Sequence, residues 1–110
     1  MGTNRRYAHV IDRERDEQIL ARWVATAGPL QSLTPDELDL ANEPVTIAPK
    51  PPHARAWVRF GAQPAKVDCV VERWTEKACG VSFTVQGKTY RCWVWSNAVM
   101  APAPRGGQGS

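Results

Sequence analysis

The sequence predicts an α+β domain: an N-terminal helix and a short second helix, followed by a small antiparallel β-barrel of four to five strands. Three observations predict it. Apolar residues recur at helical spacing over 12–27, the period changes to two from Ala54 onward, and a proline-rich linker over 44–53 separates the two regimes. A chain of 110 residues has room for one domain and one core, and not for a separate catalytic domain.

Residues 1–11 show no period and are expected to form a flexible arm. Asp12 is placed as an N-cap, and Glu14, Asp16 and Glu17 fall in the first turns, where the helix dipole favours anions. Ile19, Leu20, Trp23, Val24 and Ala27 then line one stripe, and Gly28-Pro29 ends the run. This is a helix with one face to bury. Thr34-Pro35-Asp36-Glu37 is a capping-box signature with proline at the first helical position, so a second helix begins there. It must be short, because Pro44 lies ahead. Leu33, Leu38 and Leu40 are its candidate apolar contacts, and the whole segment 12–43 is expected to pack on the barrel.

The strands are predicted at 54–60, 66–74, 78–85 and 89–95, with a fifth short one near 98–101 and a disordered Pro/Gly-rich tail over 102–110. Thr75-Glu76-Lys77 and Gln86-Gly87-Lys88 are the turns. Alternation gives each strand two faces. Ala56, Val58 and Phe60 share one face with Val67, Cys69 and Val71, with Cys79, Val81, Phe83 and Val85, and with Tyr90, Cys92 and Val94. The opposite face carries Arg55, Trp57 and Arg59 from the first strand, Asp68 and Glu72 from the second, Ala78, Gly80, Ser82 and Thr84 from the third, and Arg91, Trp93 and Trp95 from the fourth. If the first and last long strands come together, Trp57, Trp93, Trp95, Arg55, Arg59 and Arg91 form one aromatic-basic patch.

That patch has three readings. Bases can stack on indoles at about 1–3 kcal/mol each while arginines meet phosphates, which makes it a nucleic-acid surface. The stripe of the first helix could lie over the tryptophans and bury them. Or Trp and Arg together form a protein–protein hot spot, for a second protein or another copy of this chain. Charge does not separate them: 12–43 carries a balance of −5 and 50–110 a balance of +6, so the basic half can face a polyanion or the acidic half of the chain itself.

Other chemistries lack their residues. Cys69, Cys79 and Cys92 fall on three successive strands without the close Cys-x₂₋₄-Cys knuckle of zinc sites, and His9 and His53 lie outside the barrel; the cysteines are expected to be reduced core thiols. No Ser/His/Asp set, HExxH or Gly-rich phosphate loop is present, so neither an enzyme nor a cofactor site is expected. A helix-turn-helix is excluded because the second helix, with Asp36, Glu37, Asp39 and Glu43, would repel phosphates. With no apolar run long enough to span a bilayer and no secretory leader, the expected location is the cytoplasm.

The Arg55-Ala-Trp-Val-Arg-Phe60 strand and the Arg91-Cys-Trp-Val-Trp-Ser-Asn-Ala-Val99 ending resemble small SH3-like or Tudor-like barrels in layout. In size, and in its preference for Arg, Ala, Val and Trp, the chain is similar to small proteins of actinobacteria and their phages. That resemblance implies a phage or accessory protein acting on macromolecules by binding, with no activity or residue role attached. The expected function is a non-catalytic binding module contacting nucleic acid through the Trp/Arg surface, or else a protein-interaction module, a host-protein binder or a homo-oligomer, with the tryptophan patch as interface or core.

Overall fold

The computed structural model describes residues 17–102. Its elements are helix α1 over 17–26, helix α2 (Pro35–Leu38), and strands β1 (Thr46–Ile47), β2 (His53–Phe60), β3 (Gln63–Trp74), β4 (Ala78–Val85), β5 (Lys88–Trp95) and β6 (Val99–Met100), with one 3₁₀ turn at Ser96–Ala98. The predicted arm over 1–11, the start of the first helix and the tail beyond Pro102 lie outside the described residues. The fold is α+β and mostly sheet: six antiparallel strands in the order β5-β4-β3-β2-β6, with β1 paired to β3.

The hydrogen-bonded sheet does not close into the predicted barrel; its path ends at β5 and at β6. The sheet curls enough that β2 and β5 approach each other without pairing. The gap between them is spanned by the connector after α1. Gln31 N–H donates to the Arg59 carbonyl at 2.8 Å, Gly61 N–H to Pro29 O at 2.8 Å, and Leu33 N–H to Trp93 O at 3.0 Å, while the Ser32 hydroxyl accepts from Trp93 N–H at 2.9 Å. A strap of irregular chain therefore satisfies edge groups that a closed barrel would satisfy by strand pairing.

The alternation read from the sequence sets the core. Ala54, Ala56, Val58 and Phe60 on β2 meet Ala65, Val67, Cys69 and Val71 on β3, Val81, Phe83 and Val85 on β4, and Cys92 and Val94 on β5, all buried. Phe60 stands edge-on to both Phe83 and Tyr90, with centroids 6.2 and 6.4 Å apart, in the arrangement that ring quadrupoles favour. Helix α1 packs Leu20, Ala21, Trp23, Val24 and Ala27 against this core. Trp57, Trp93 and Trp95 are not part of it, which corrects the reading that the helix buries them. The apolar stripe is matched by the Val/Phe face, whereas the tryptophan face is interrupted by arginines whose heads need water.

The proline-rich stretch is also not a plain linker. The eight residues of β2 cover only Gln63–Val70 of the longer β3. Pairing along the rest of that edge comes from the linker: the Pro52 carbonyl accepts from Val71 N–H, Ala48 N–H donates to the Glu72 carbonyl, and Thr46 and Ile47 pair with Trp74 and Arg73. Prolines suit an extended edge segment in which alternate N–H groups face away from the sheet.

Two turns need unusual backbone. Gln86 and Gly87 both have positive φ, 48° and 80°, the requirement of a two-residue turn matching the twist of the β4–β5 hairpin. At the β2–β3 hairpin Gly61 has φ 59°, and a Cβ there would stand 2.2 Å from the Ala27 carbonyl oxygen. Gly28, with φ 124°, lies against the Gly61 backbone in the same crossing. The end of α1 thus docks on the hairpin through two glycines, backbone on backbone. Thr34 and Glu37 complete the capping box of α2 in both directions, at 3.1 and 2.9 Å, and Leu38 is buried while Leu40 is exposed.

Candidate functional site

Strand β5 projects Trp93 and Trp95 to the side away from the core, and β2 projects Trp57 and Arg59 to the same side across the strap. Together with Gln31 and Pro64 these side chains line one open cavity of about 420 Å³. That is within the range of natural ligand clefts, toward its small end. Trp57 and Trp95 are 46% and 41% exposed, and Trp93 is half-buried, so two indoles present faces to solvent and the third forms a wall. The Lys66 ammonium sits 5.3 Å from the Trp57 ring centroid, adding a cation beside the indole.

Of the six residues singled out by sequence, four therefore meet: Trp57, Trp93, Trp95 and Arg59. The other two arginines do not line this cavity. Arg55 Nε lies 3.3 Å from Asp68 Oδ1 without hydrogen-bond geometry, and Arg91 Nε donates to Glu72 Oε1 at 3.1 Å. Asp68 and Glu72, the outward carboxylates of β3, thus neutralise part of the patch. Arg91 remains 67% exposed, so the pair leaves much of its guanidinium in water.

Arg91 instead lines a second cavity of about 220 Å³, with Arg73, Glu72, Gly80, Ser32 and Trp93 among its walls. Arg73 owes its place to a β-bulge. Val67, Cys69 and Val71 point to the core at every second residue, and Arg73 would follow them. The register shift between Val71 and Arg73 adds one residue, so Arg73 pairs with Gly80 on the tryptophan side. Gly80 accommodates it: a Cβ there would stand 2.9 Å from Arg73 Cγ and 3.4 Å from the Trp93 ring. Three of the four outward residues of β4, Ala78, Gly80 and Ser82, are accordingly buried, while Thr84 is exposed. Gly80 lies beneath Arg73 and Trp93, and Ala78 and Ser82 stand opposite Trp95 and Arg91.

Sequence reasoning missed Arg73, Lys66, Pro64 and the strap residues Gln31 and Ser32. Lys66 and Pro64 carried a signal, since their places opposite Trp57 and Arg59 follow from the tight β2–β3 hairpin.

Cys69 and Cys79 line neither cavity, and Cys92 borders the second. Cys69 and Cys92 are buried and Cys79 is half-buried, all three free. Burial pushes the Cys69 thiol up to about 11 from the ordinary 9.0, with smaller contributions from Cys92, Asp68 and Cys79; burial alone takes Cys92 to about 11 and raises Cys79. Such thiols are poor nucleophiles at neutral pH. The unfolded chain loses these protons first as pH rises. Stability is therefore full below pH 9 and declines from pH 9 towards 11, with each thiol contributing a slope of at most roughly 1.4 kcal/mol per pH unit. Urea midpoints across that range should fall, and the double variant Cys69→Ala/Cys92→Ala should fall less steeply.

Among the described residues no group of three or more His, Cys, Asp or Glu is placed to hold a metal ion, and no helix is long and apolar enough to cross a membrane. No family model, curated protein or solved structure matches the chain, so the aromatic cavity and its arginine-lined neighbour carry the functional reading on their own geometry.

Proposed function

We propose that this chain is a non-catalytic binding module that contacts nucleic acid through its tryptophan–arginine face. The observation that carries the reading is the convergence of three indoles and Arg59 on one open cavity, on the side of the sheet that the core and α1 leave uncovered. Indole faces take bases of any sequence, and guanidinium groups take phosphates, so such a surface binds with modest sequence preference and strong salt dependence. The curled sheet with its strap across the β2–β5 gap supports an SH3-like small barrel as the underlying architecture. Three free thiols fit the reducing cytoplasm.

Intrinsic tryptophan fluorescence tests the reading. Titration with oligonucleotide should quench emission, and the binding constant should fall steeply between 50 and 200 mM salt, as roughly expected when several phosphates are neutralised. No change at 50 mM salt contradicts it.

A second reading rests on the ion pairs. Asp68 and Glu72 cancel two of the patch arginines, and a half-exposed Trp/Arg/Pro surface is also the composition of a protein hot spot. It expects no response to polyanions and either a discrete protein partner or a solution mass above the 12.2 kDa of one chain.

A further inference from the structure

The two cavities are neighbours. Trp93 and Ser32 line both, so one ring and one hydroxyl form the partition between an aromatic chamber and an arginine-lined one. The chambers differ in chemistry. The larger offers Trp57 and Trp95 as exposed flat surfaces; the smaller offers Arg73 and Arg91 against a single carboxylate, Glu72. An aromatic station beside a cationic one is complementary to a unit that is flat and apolar at one end and anionic at the other.

We infer that the pair of cavities is a track for a single, unpaired nucleic-acid strand, with a base on the Trp57/Trp95 indoles and an adjoining phosphate at Arg73 and Arg91. This rests on the nucleic-acid reading above and narrows it to one strand state. In a duplex the base faces are stacked inside the helix, so the indoles cannot reach them and only the arginines contribute. The β-bulge acquires a role in this assignment, since without the extra residue Arg73 would point into the core. Glu72 acts as a brake: it holds Arg91 Nε and places a negative charge at the phosphate station.

The test compares a twelve-residue oligothymidine with a blunt twelve-base-pair duplex, using fluorescence titration of the full chain at several salt concentrations. The single strand should bind at least tenfold more tightly. Arg73→Gln should weaken it severalfold and lower the magnitude of the salt slope by about 0.7, the value expected for one lost phosphate contact on a single strand. Arg73→Lys should restore the slope, which separates lost charge from lost packing over Gly80. Glu72→Gln should tighten binding. Equal or stronger binding of the duplex overturns the single-strand assignment while leaving nucleic-acid binding intact. A slope unchanged in Arg73→Gln overturns the phosphate station. Wild-type protein that binds neither oligonucleotide removes the underlying nucleic-acid reading, and this inference with it.

Discussion

Replacing Gly61 with alanine should destabilise the fold by on the order of 3 kcal/mol or more, while Gly87→Ala should cost only about 1 kcal/mol. Both glycines have positive φ, 59° and 80°, so both substitutions incur the penalty of a left-handed residue, roughly 1–2 kcal/mol. They differ in space. The Cβ at Gly87 meets nothing within 4 Å, whereas the Cβ at Gly61 would overlap the Ala27 carbonyl at 2.2 Å and approach Gly28 Cα at 3.4 Å. Neither neighbour is a flexible side chain that can swing away, so the end of α1 must lift from the hairpin. That displacement reaches the core, because Trp23, Val24 and Ala27 pack there, and the strap, because Pro29 accepts a hydrogen bond from Gly61. Urea unfolding of the two variants side by side measures the difference. Equal midpoints would mean that the α1–hairpin crossing contributes little.

Removing Trp57 and Trp95 together should reduce single-strand affinity roughly a hundredfold or more, since each indole that supports a base is worth about 1–3 kcal/mol. Trp57→Ala or Trp95→Ala alone should each lose about tenfold. Their exposure makes them dispensable to the core, so unfolding midpoints should move far less than affinity does. Trp74→Ala is the matched control: it is also an indole with a solvent-facing surface, but it lies at the end of β3 opposite Thr46 and Cys79, away from both cavities. Equal losses in Trp74→Ala and Trp57→Ala would point to general hydrophobic adsorption instead of a site.

The parts of this fold legible in the sequence are those governed by local rules. Period-two alternation marked β4 at its observed ends and β2, β3 and β5 to within a few residues, because strands half-buried on one face must alternate. The capping box at Thr34 and the Gln86-Gly87 turn were legible for the same reason: each residue satisfies a requirement of its own neighbours. What escaped depends on the tertiary path of the chain. The bulge at Val71–Arg73 has no glycine or proline to announce it, and its consequence, Arg73 turned toward Trp93, follows from the register alone. The strap across β2 and β5 is bonded through backbone groups that any sequence carries. Gly28 was legible as a helix stop, yet its approach to Gly61 depends on where the helix docks. The four residues that meet in the aromatic cavity were legible as same-face positions on two strands; the partners that draw Arg55 and Arg91 aside, Asp68 and Glu72, were visible only as carboxylates in need of a cation.

The most direct test follows the five indole N–H resonances in ¹H–¹⁵N spectra during addition of oligothymidine. Binding at the aromatic cavity predicts that Trp57, Trp93 and Trp95 shift together and saturably, while Trp23, packed against the core, and Trp74 stay in place. Saturable binding that leaves Trp57 and Trp95 unmoved, or no binding at all, would contradict the account.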